Sequence, residues 1–562
     1  MRHPFFYALR CLVLFFALLA SPAVFAADAH PYGWVSVLPP LIAIALALLV
    51  RQVVPALFIG IWTGAWALNG FSLAGLWLGL LETFETHIVN ALADPDHAAV
   101  ILFSMMVGGM VGIISKNGGL LGVVEQIVRF ADSVRRASLA TVALGLAIFF
   151  DDYANTLVVG YTMRPITDRM RISREKLAYL VDSTAAPVAC IALVTTWIGY
   201  EVGLIGEAIE TIDGLDANAY FVFLNSIPYS FYPLFALVLV FAIVISGRDF
   251  GPMYKAEVRA RQTGVVAPES AGTALVGSDM DQVQPSAGTR CLARNAAIPV
   301  MVLIVSVVVG LFVSGSGDNL QEIIGSADAY RSLLWGSLLG VLAAVIMTLA
   351  HRSLSVSDLT NAWFAGLRSM LLAVVILVLA WALSGMTREL DTAGYLARLL
   401  GEHLHPGLMP TLVFLLAAAT AFATGTSWGT MGILLPMMLP LVWVLMTNSG
   451  MTAAEHMPIL YGTVAAVLSG AVWGDHCSPI SDTTILSSMS SQCDHIEHVR
   501  TQMPYAILAG LVAMVLGTLP AGFGLPWWVC LPAGTLALVA FVRLLGRHAD
   551  APRAAAAFSR ES

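Results

Sequence analysis

The sequence predicts an all-α polytopic membrane protein, built as an inverted repeat with two re-entrant hairpins and broken helices. Three observations predict it: the composition, the recurrence of long apolar runs, and a likeness between the two halves. Of the 562 residues, 58% are hydrophobic and 11% charged, and the mean hydropathy is +0.81. Soluble domains lie nearer half apolar and a quarter charged, so most of this surface must face lipid. A hydrocarbon core about 30 Å thick takes roughly 20 apolar residues per helix. Such runs recur along nearly the whole chain, leaving no stretch for a separate soluble catalytic domain. The net charge of −8 says little about partners, because the placement of Lys and Arg matters more than their sum. The six cysteines, at 11, 190, 291, 477, 493 and 530, form no CxxC pair, which argues against a disulfide framework or a zinc knuckle.

The first 30 residues run from basic to apolar to small, with Val24 and Ala26 at plausible −3 and −1 positions. That is the grammar of a signal peptide over 1–26; an uncleaved first helix is the alternative, and either puts residues 28–34 outside. Acidic loops at 82–97, 201–227 and 314–330 belong outside, whereas Lys116 to Arg136, Arg164 to Lys176, Arg248 to Arg294, and Arg352 to Arg368 belong inside. Residues 138–163 then have cytoplasmic flanks on both sides, and 410–447 external ones, so each is expected to be a re-entrant hairpin. Crossings are expected near 35–50, 54–81, 98–115, 177–200, 228–247, 296–313, 332–350, 369–385, 459–488, 504–520 and 527–545, about 11 in all once the leader is removed. The chain would start in the periplasm and end in the cytoplasm of a bacterial inner membrane.

The expected units are N-terminal helices over 27–97, a first repeat over 98–247, a flexible cytoplasmic linker over 248–294, connecting helices over 295–368, a second repeat over 369–520, and a last helix and tail over 521–562. Three ordered matches relate the repeats: "GIISKNGGLLGVVEQIVRF" with "LSGMTRELDTAGYLARLL", "DDYANTLVVGYTMRPI" with "GTSWGTMGILLPMMLPL", and "DSTAAPVACIALVTTW" with "GDHCSPISDTTILSSM". The leading helix of one copy runs inward and that of the other outward. Secondary transporters use this architecture, with sites where the copies meet.

The polar cluster "GDHCSPISDTT" at 474–484 lies inside an apolar crossing. Gly474 and Pro479 supply the means to break the helix, and exposed backbone at such depth survives only when buried in protein or lining a wet cavity. Asp475 and Asp482 flank the break, Ser478, Ser481, Thr483 and Thr484 add neutral oxygens, and no Lys or Arg lies between Tyr461 and Gln492. Two carboxylates with several neutral oxygens make a hard-cation site, so sodium is expected at Asp152, Asp475 and Asp482. The other half offers Asp151 and Asp152 at a hairpin turn, followed by Asn155 and Thr156, and then Asp182, Ser183 and Thr184 ahead of Pro187. Desolvation favours a protonated carboxyl and a bound cation favours the ionised one, so protons and sodium would compete for the same group. The second hairpin tip has hydroxyls, Thr426 and Ser427 among them, but no acid. His476, beside Cys477, is read as a packed side chain with one hydrogen bond, with a transition-metal ligand or a proton relay as the alternatives, and Cys493, His495 and His498 as part of a solvated cytoplasmic loop.

The stretches "FFDDYANTLVVG" and "GDHCSPISDTTILSS" resemble the signatures of NhaC-type sodium/proton antiporters, a resemblance spanning roughly residues 100–515. It implies a mobile transport domain moving against a scaffold, often in a homodimer, and sodium coupled to protons. By motif position it implies Asp151, Asp152, Asn155, Thr156, Asp475, Ser478, Asp482 and Thr483 as ion-site residues. Relatives of that type also exchange organic acids or carry amino acids, so a small amino or organic acid is a second candidate cargo. Beyond Na+, H+ and membrane lipid, no cofactor and no nucleic-acid partner is expected. No enzyme is expected either, since no nucleophile, base and oxyanion group stand at a recognisable spacing.

Overall fold

The computed structural model describes residues 32–50, 52–129, 131–212, 214–215, 217–267, 285, 289–317, 323, 326–395, 404–479 and 481–550. The expected signal peptide, Asp213, Asp216, Arg398, most of 268–288 and the tail beyond 550 lie outside the described residues. Within them the chain is a bundle of helices; its only β-pairing is two residues long, Arg248–Asp249 antiparallel to Arg547–His548. Among the described residues nine helices are long and apolar enough to cross a membrane, or ten if the pair Ala219–Tyr229 and Phe231–Ser246, bent by 45°, counts as one span. The chain is an all-α, multi-pass membrane protein.

Pro406–Thr424 and Ser427–Asn448, expected together as one hairpin, are each long enough to span, while two of the expected crossings are interrupted for local causes. Residues 54–81 are two helices, Val53–Leu68 and Leu73–Glu82, because the Asn69–Ser72 turn intervenes and the Ser72 hydroxyl caps the second at Gly75 N. Residues 177–200 are cut into Arg174–Ser183, Ala186–Ala189 and the start of Thr196–Glu210. That last helix overturns the reading of 201–227 as an external loop, since Glu201 lies inside it and is fully buried. The acidic interval 82–97 is likewise helical through most of its length, up to Ala93 and again from Pro95. The linker begins with a packed helix, Gly251–Thr263. Its Arg259 donates to both carboxylate oxygens of Glu175 at 2.9 Å, and Glu257 accepts from Ser173 N and Oγ at 2.8 Å.

Two kinds of helix surface divide the bundle. The helices Arg294–Ser314 and Ala329–Ala350 leave Val305, Val309, Phe312, Leu339, Leu342 and Ile346 exposed, as lipid-facing helices do. In contrast, Ser427–Asn448 is buried along nearly its whole length. Close backbone approach holds the interior together. A Cβ on Gly474 would stand 2.1 Å from Ala418 O, so the helices Met409–Thr424 and Met457–Cys477 touch through small residues, the usual means of association where lipid supplies no hydrophobic drive. Gly474 therefore does not break its helix, as the sequence reading had it; the helix continues to Cys477 and yields at Ser478.

Candidate functional site at the helix breaks

Four interruptions fall in stretches that the sequence pairs between the halves. The helix Val134–Ala147 stops before Asp152–Arg169, and Met409–Thr424 stops at Gly425, whose φ of 72° is the left-handed value glycine adopts freely, before Ser427–Asn448 begins. Arg174–Ser183 gives way to a short turn of helix and then, after Thr195, to Thr196–Glu210; Met457–Cys477 gives way to Asp482–Ser491. Most of the restarts are capped. Asp151 accepts from Ala154 N at 2.7 Å, Thr195 from Trp197 N and Ile198 N at 3.1 and 3.2 Å, and Ser481 from Thr484 N at 3.3 Å. Each cap satisfies amides that a helix start leaves open.

Asn155 ties two of the breaks together. Its amide donates to Gly145 O at 2.7 Å, Thr184 O at 2.9 Å and Ile148 O at 3.3 Å, while its own carbonyl oxygen is buried without a hydrogen-bond partner among the described residues. Thr156 and Thr184 spend their hydroxyls inside the chain, on Asp152 O and Leu180 O. Ser478 donates to Phe422 O at 2.7 Å, joining the fourth break to the third. Ser427 and Ser183 are buried with hydroxyls that no described residue satisfies, and Thr426 is half-buried.

The acids divide into two groups. In one, Asp152 is 1% exposed and neither of its oxygens has a hydrogen-bond partner among the described residues. Its neighbour Tyr153 crosses to the other half, donating to Asp482 Oδ2 at 2.6 Å, and Asp482 Oδ1 accepts from Thr483 N at 2.8 Å. Thr483 Oγ1 donates to Asp475 Oδ2 at 2.8 Å, leaving Asp475 Oδ1 buried and open. Asp152 and Asp482 both stand at the first position of packed helices, whose amide ends favour negative charge. Among the described residues no three His, Cys, Asp or Glu converge on a point that could hold a metal ion, Asp152, Asp475 and Asp482 included. A hard cation here would draw on hydroxyl and carbonyl oxygens as well.

Asp182 belongs to the second group. It accepts from Gln502 Nε2 at 2.5 Å, Ser487 Oγ at 3.1 Å and Thr484 Oγ1 at 3.2 Å, with His498 Nε2 at 3.5 Å and His476 Nε2 at 3.8 Å. His476 is held by Tyr232 through Nδ1 at 2.8 Å. His498 is fully buried, on the helix His495–Ala513, which overturns its reading as part of a solvated loop. Gln502, Tyr153 and Glu201 were given no role by the sequence. The spacing of His495, His498 and Gln502 marks one helical face and was the signal available for the first of them; nothing comparable marks Glu201.

A helical membrane protein whose buried carboxylates gather at breaks in helices from both halves is a secondary transporter. Residues 188–522 match the Na+/H+ antiporter family, and the chain belongs to that family. It is 30% identical over 496 residues to an uncharacterized protein of Haemophilus influenzae, covering 87% of this chain and 91% of that one. Shorter matches reach the malate-2H(+)/Na(+)-lactate antiporter of Bacillus subtilis, 30% identical over 29% of this chain and 33% of that protein, and the arginine/ornithine antiporter ArcD of Halobacterium salinarum, 44% identical over 10% and 11%. The fold is similar to that of the Alcanivorax borkumensis YdaH transporter, with a TM-score of 0.50 at 15% identity over 80% of this chain and 90% of that one. It is also similar to Neisseria gonorrhoeae MtrF, described as one of a class of antimetabolite efflux pumps, with a TM-score of 0.52 at 14% identity over 80% and 85%.

Proposed function

We propose that the protein exchanges sodium for protons, with Asp152, Asp475 and Asp482 as the carboxylates that the two ions occupy in turn. The observation that carries this reading is the open Asp152 carboxylate, buried one residue from the Tyr153 link to Asp482. An ionised carboxylate so placed needs a cation, and the neutral acid needs a proton. Sodium and a proton therefore exclude one another at Asp152. The open Asp475 oxygen, the Asn155 carbonyl and the Ser183 hydroxyl are the further oxygens assigned to the ion's path, and the paired breaks are read as an inverted repeat whose tips meet near mid-membrane. In sealed proteoliposomes, sodium should dissipate an imposed pH gradient, and Asp152→Asn or Asp475→Asn should reduce this to the level of protein-free vesicles. Undiminished exchange in both variants rejects the assignment.

A second reading is favoured by the relatives' names, which join sodium and protons with two hydroxy acids in one case and name two basic amino acids in the other. In it, sodium or proton movement is coupled to a small amino or organic acid. A panel of labelled lactate, malate, arginine and ornithine in the same vesicles separates the two: counterflow of a labelled solute supports coupling to that solute, and a sodium–proton signal indifferent to all of them supports ion exchange alone.

A further inference from the structure

We propose that Glu201 is a second proton-binding site of this transporter, separate from the aspartates at the breaks. Glu201 lies on the helix Thr196–Glu210, 0% exposed, and both of its carboxylate oxygens are buried with no hydrogen-bond partner among the described residues. Its one polar neighbour is the thiol of the buried Cys190, from the chain just before the break, a weak donor that falls short of hydrogen-bond geometry and cannot compensate a full charge. A bare carboxylate in such surroundings is uncompensated, whereas a neutral acid is tolerated. An acid kept dry and unpaired, in a protein that must change conformation to work, is placed to carry a proton.

Its position ties it to the ion site without contact. Thr196 N donates to Phe150 O at 2.9 Å, directly before Asp151, and Trp197, one helical turn from Glu201, stands beside Asp152. The helix carrying Glu201 is thus pinned to the tip that carries Asp152, and a movement of that tip moves the glutamate with it.

The other titratable groups on the elements packed against this helix are engaged or distant in sequence from the contact. The helix Ser427–Asn448 has none. On Pro95–Lys116, His97 is paired with Glu207 at 3.1 Å and stacked on Trp381, Asp96 is its neighbour at the helix start, and Lys116 closes the far end. On Ala219–Ser226, Tyr220 donates to Leu193 O at 2.9 Å; on Leu371–Glu389, Arg388 and Glu389 stand at the last turn. On its own helix, Tyr200 donates to Trp428 O.

In the step proposed, the Glu201 carboxylate takes one proton from water on one side, forming an O–H bond and losing its charge. After reorientation that bond breaks and the proton passes to water on the opposite side. The role in coupling rests on the exchange reading above; the protonation itself does not. For that reason the test has two arms, both on the full chain in lipid. Infrared difference spectra across a pH titration should show a carboxylic-acid C=O band in the wild type that is missing from Glu201→Gln, an isosteric mimic of the neutral acid. In vesicles, Glu201→Gln should bind radioactive sodium as the wild type does while its proton flux loses its pH dependence, and Glu201→Asp should recover part of it. Identical infrared spectra and identical pH profiles for wild type and Glu201→Gln overturn the proposal. A Glu201 band in a wild type that exchanges no sodium keeps the proton site and sinks the sodium reading alone.

Discussion

Asp152 and Asp182 are equally buried, at 1% and 0% exposure, and occupy opposite chemical situations. Asp182 has three hydrogen-bond donors and two histidines around it; Asp152 accepts no hydrogen bond among the described residues, with the Trp197 indole beside it. Burial by itself therefore does not decide which carboxylate is free to take an ion. A carboxylate whose lone pairs are already filled gains little from a cation, and stripping its partners to admit one costs their hydrogen bonds. Asp182 is better suited to lock together the helices Arg174–Ser183, Asp482–Ser491 and His495–Ala513, on which its partners stand. The sequence treats both aspartates as ion ligands because both sit beside hydroxyls at a break; in the fold their hydrogen bonding differs.

The contrast is easiest to break by stability. Removing Asp182 leaves buried donors and histidines unpaired, so Asp182→Ala should destabilise the fold by about 3–5 kcal/mol, the usual cost of deleting one partner of a buried pair. Asp152→Ala orphans nothing and should be neutral or stabilising by about 1 kcal/mol. Thermal unfolding in detergent reads both, and equal losses in the two variants would mean that the two carboxylates are equally engaged in the fold.

Tyr153→Phe probes the link between halves. Its hydroxyl donates to a carboxylate, and a hydrogen bond to a charged group is worth about 1.5–3 kcal/mol. If that bond sets the geometry of Asp482 for sodium, the concentration giving half-maximal exchange should rise about tenfold or more, since about 1.4 kcal/mol is one decade. An unchanged sodium dependence would show that Asp482 needs no orientation from the other half.

Away from both aspartates, Gly474→Ala tests whether the break at Ser478 depends on the packing before it. The added Cβ would meet Ala418 O at 2.1 Å, too close to absorb without moving a helix. The expected loss is about 1–3 kcal/mol, as for other overpacked interiors, with exchange falling in step with the folded fraction. A variant as stable as the wild type would mean that the two helices are looser than their contact suggests.

Much of this was legible in the sequence, and the illegible parts share a cause. Hydropathy exposes spans because a lipid-facing helix must be apolar for its whole length, as Arg294–Ser314 is. The interruption after Cys477 was legible because Pro479 and a run of hydroxyls punctuate it. Gly474 was misread because one residue serves equally to break a helix or to let two backbones touch, and only the neighbour decides. Glu201 and His498 were misplaced for a related reason: charge near the end of an apolar run reads as a loop, yet both side chains are fully buried. Their burial depends on residues far away in the chain, which no local pattern encodes.

The finest test of the contrast sits on adjacent residues. Thr483 and Thr484 begin the same helix, but Thr483 donates to Asp475 at 2.8 Å and Thr484 to Asp182 at 3.2 Å. Asp182 keeps two other hydrogen-bond donors when Thr484 is replaced, so Thr484→Val should cost about 1 kcal/mol of stability and leave the sodium dependence of exchange where it was. Thr483→Val takes away the hydroxyl that orients Asp475, and should weaken sodium's effect on exchange at a similar cost in stability. Should the two valines behave alike in a flux assay, Asp182 would have to be counted with the ion site after all, and its dense hydrogen bonding would then be a feature of one conformation of the cycle rather than of the fold.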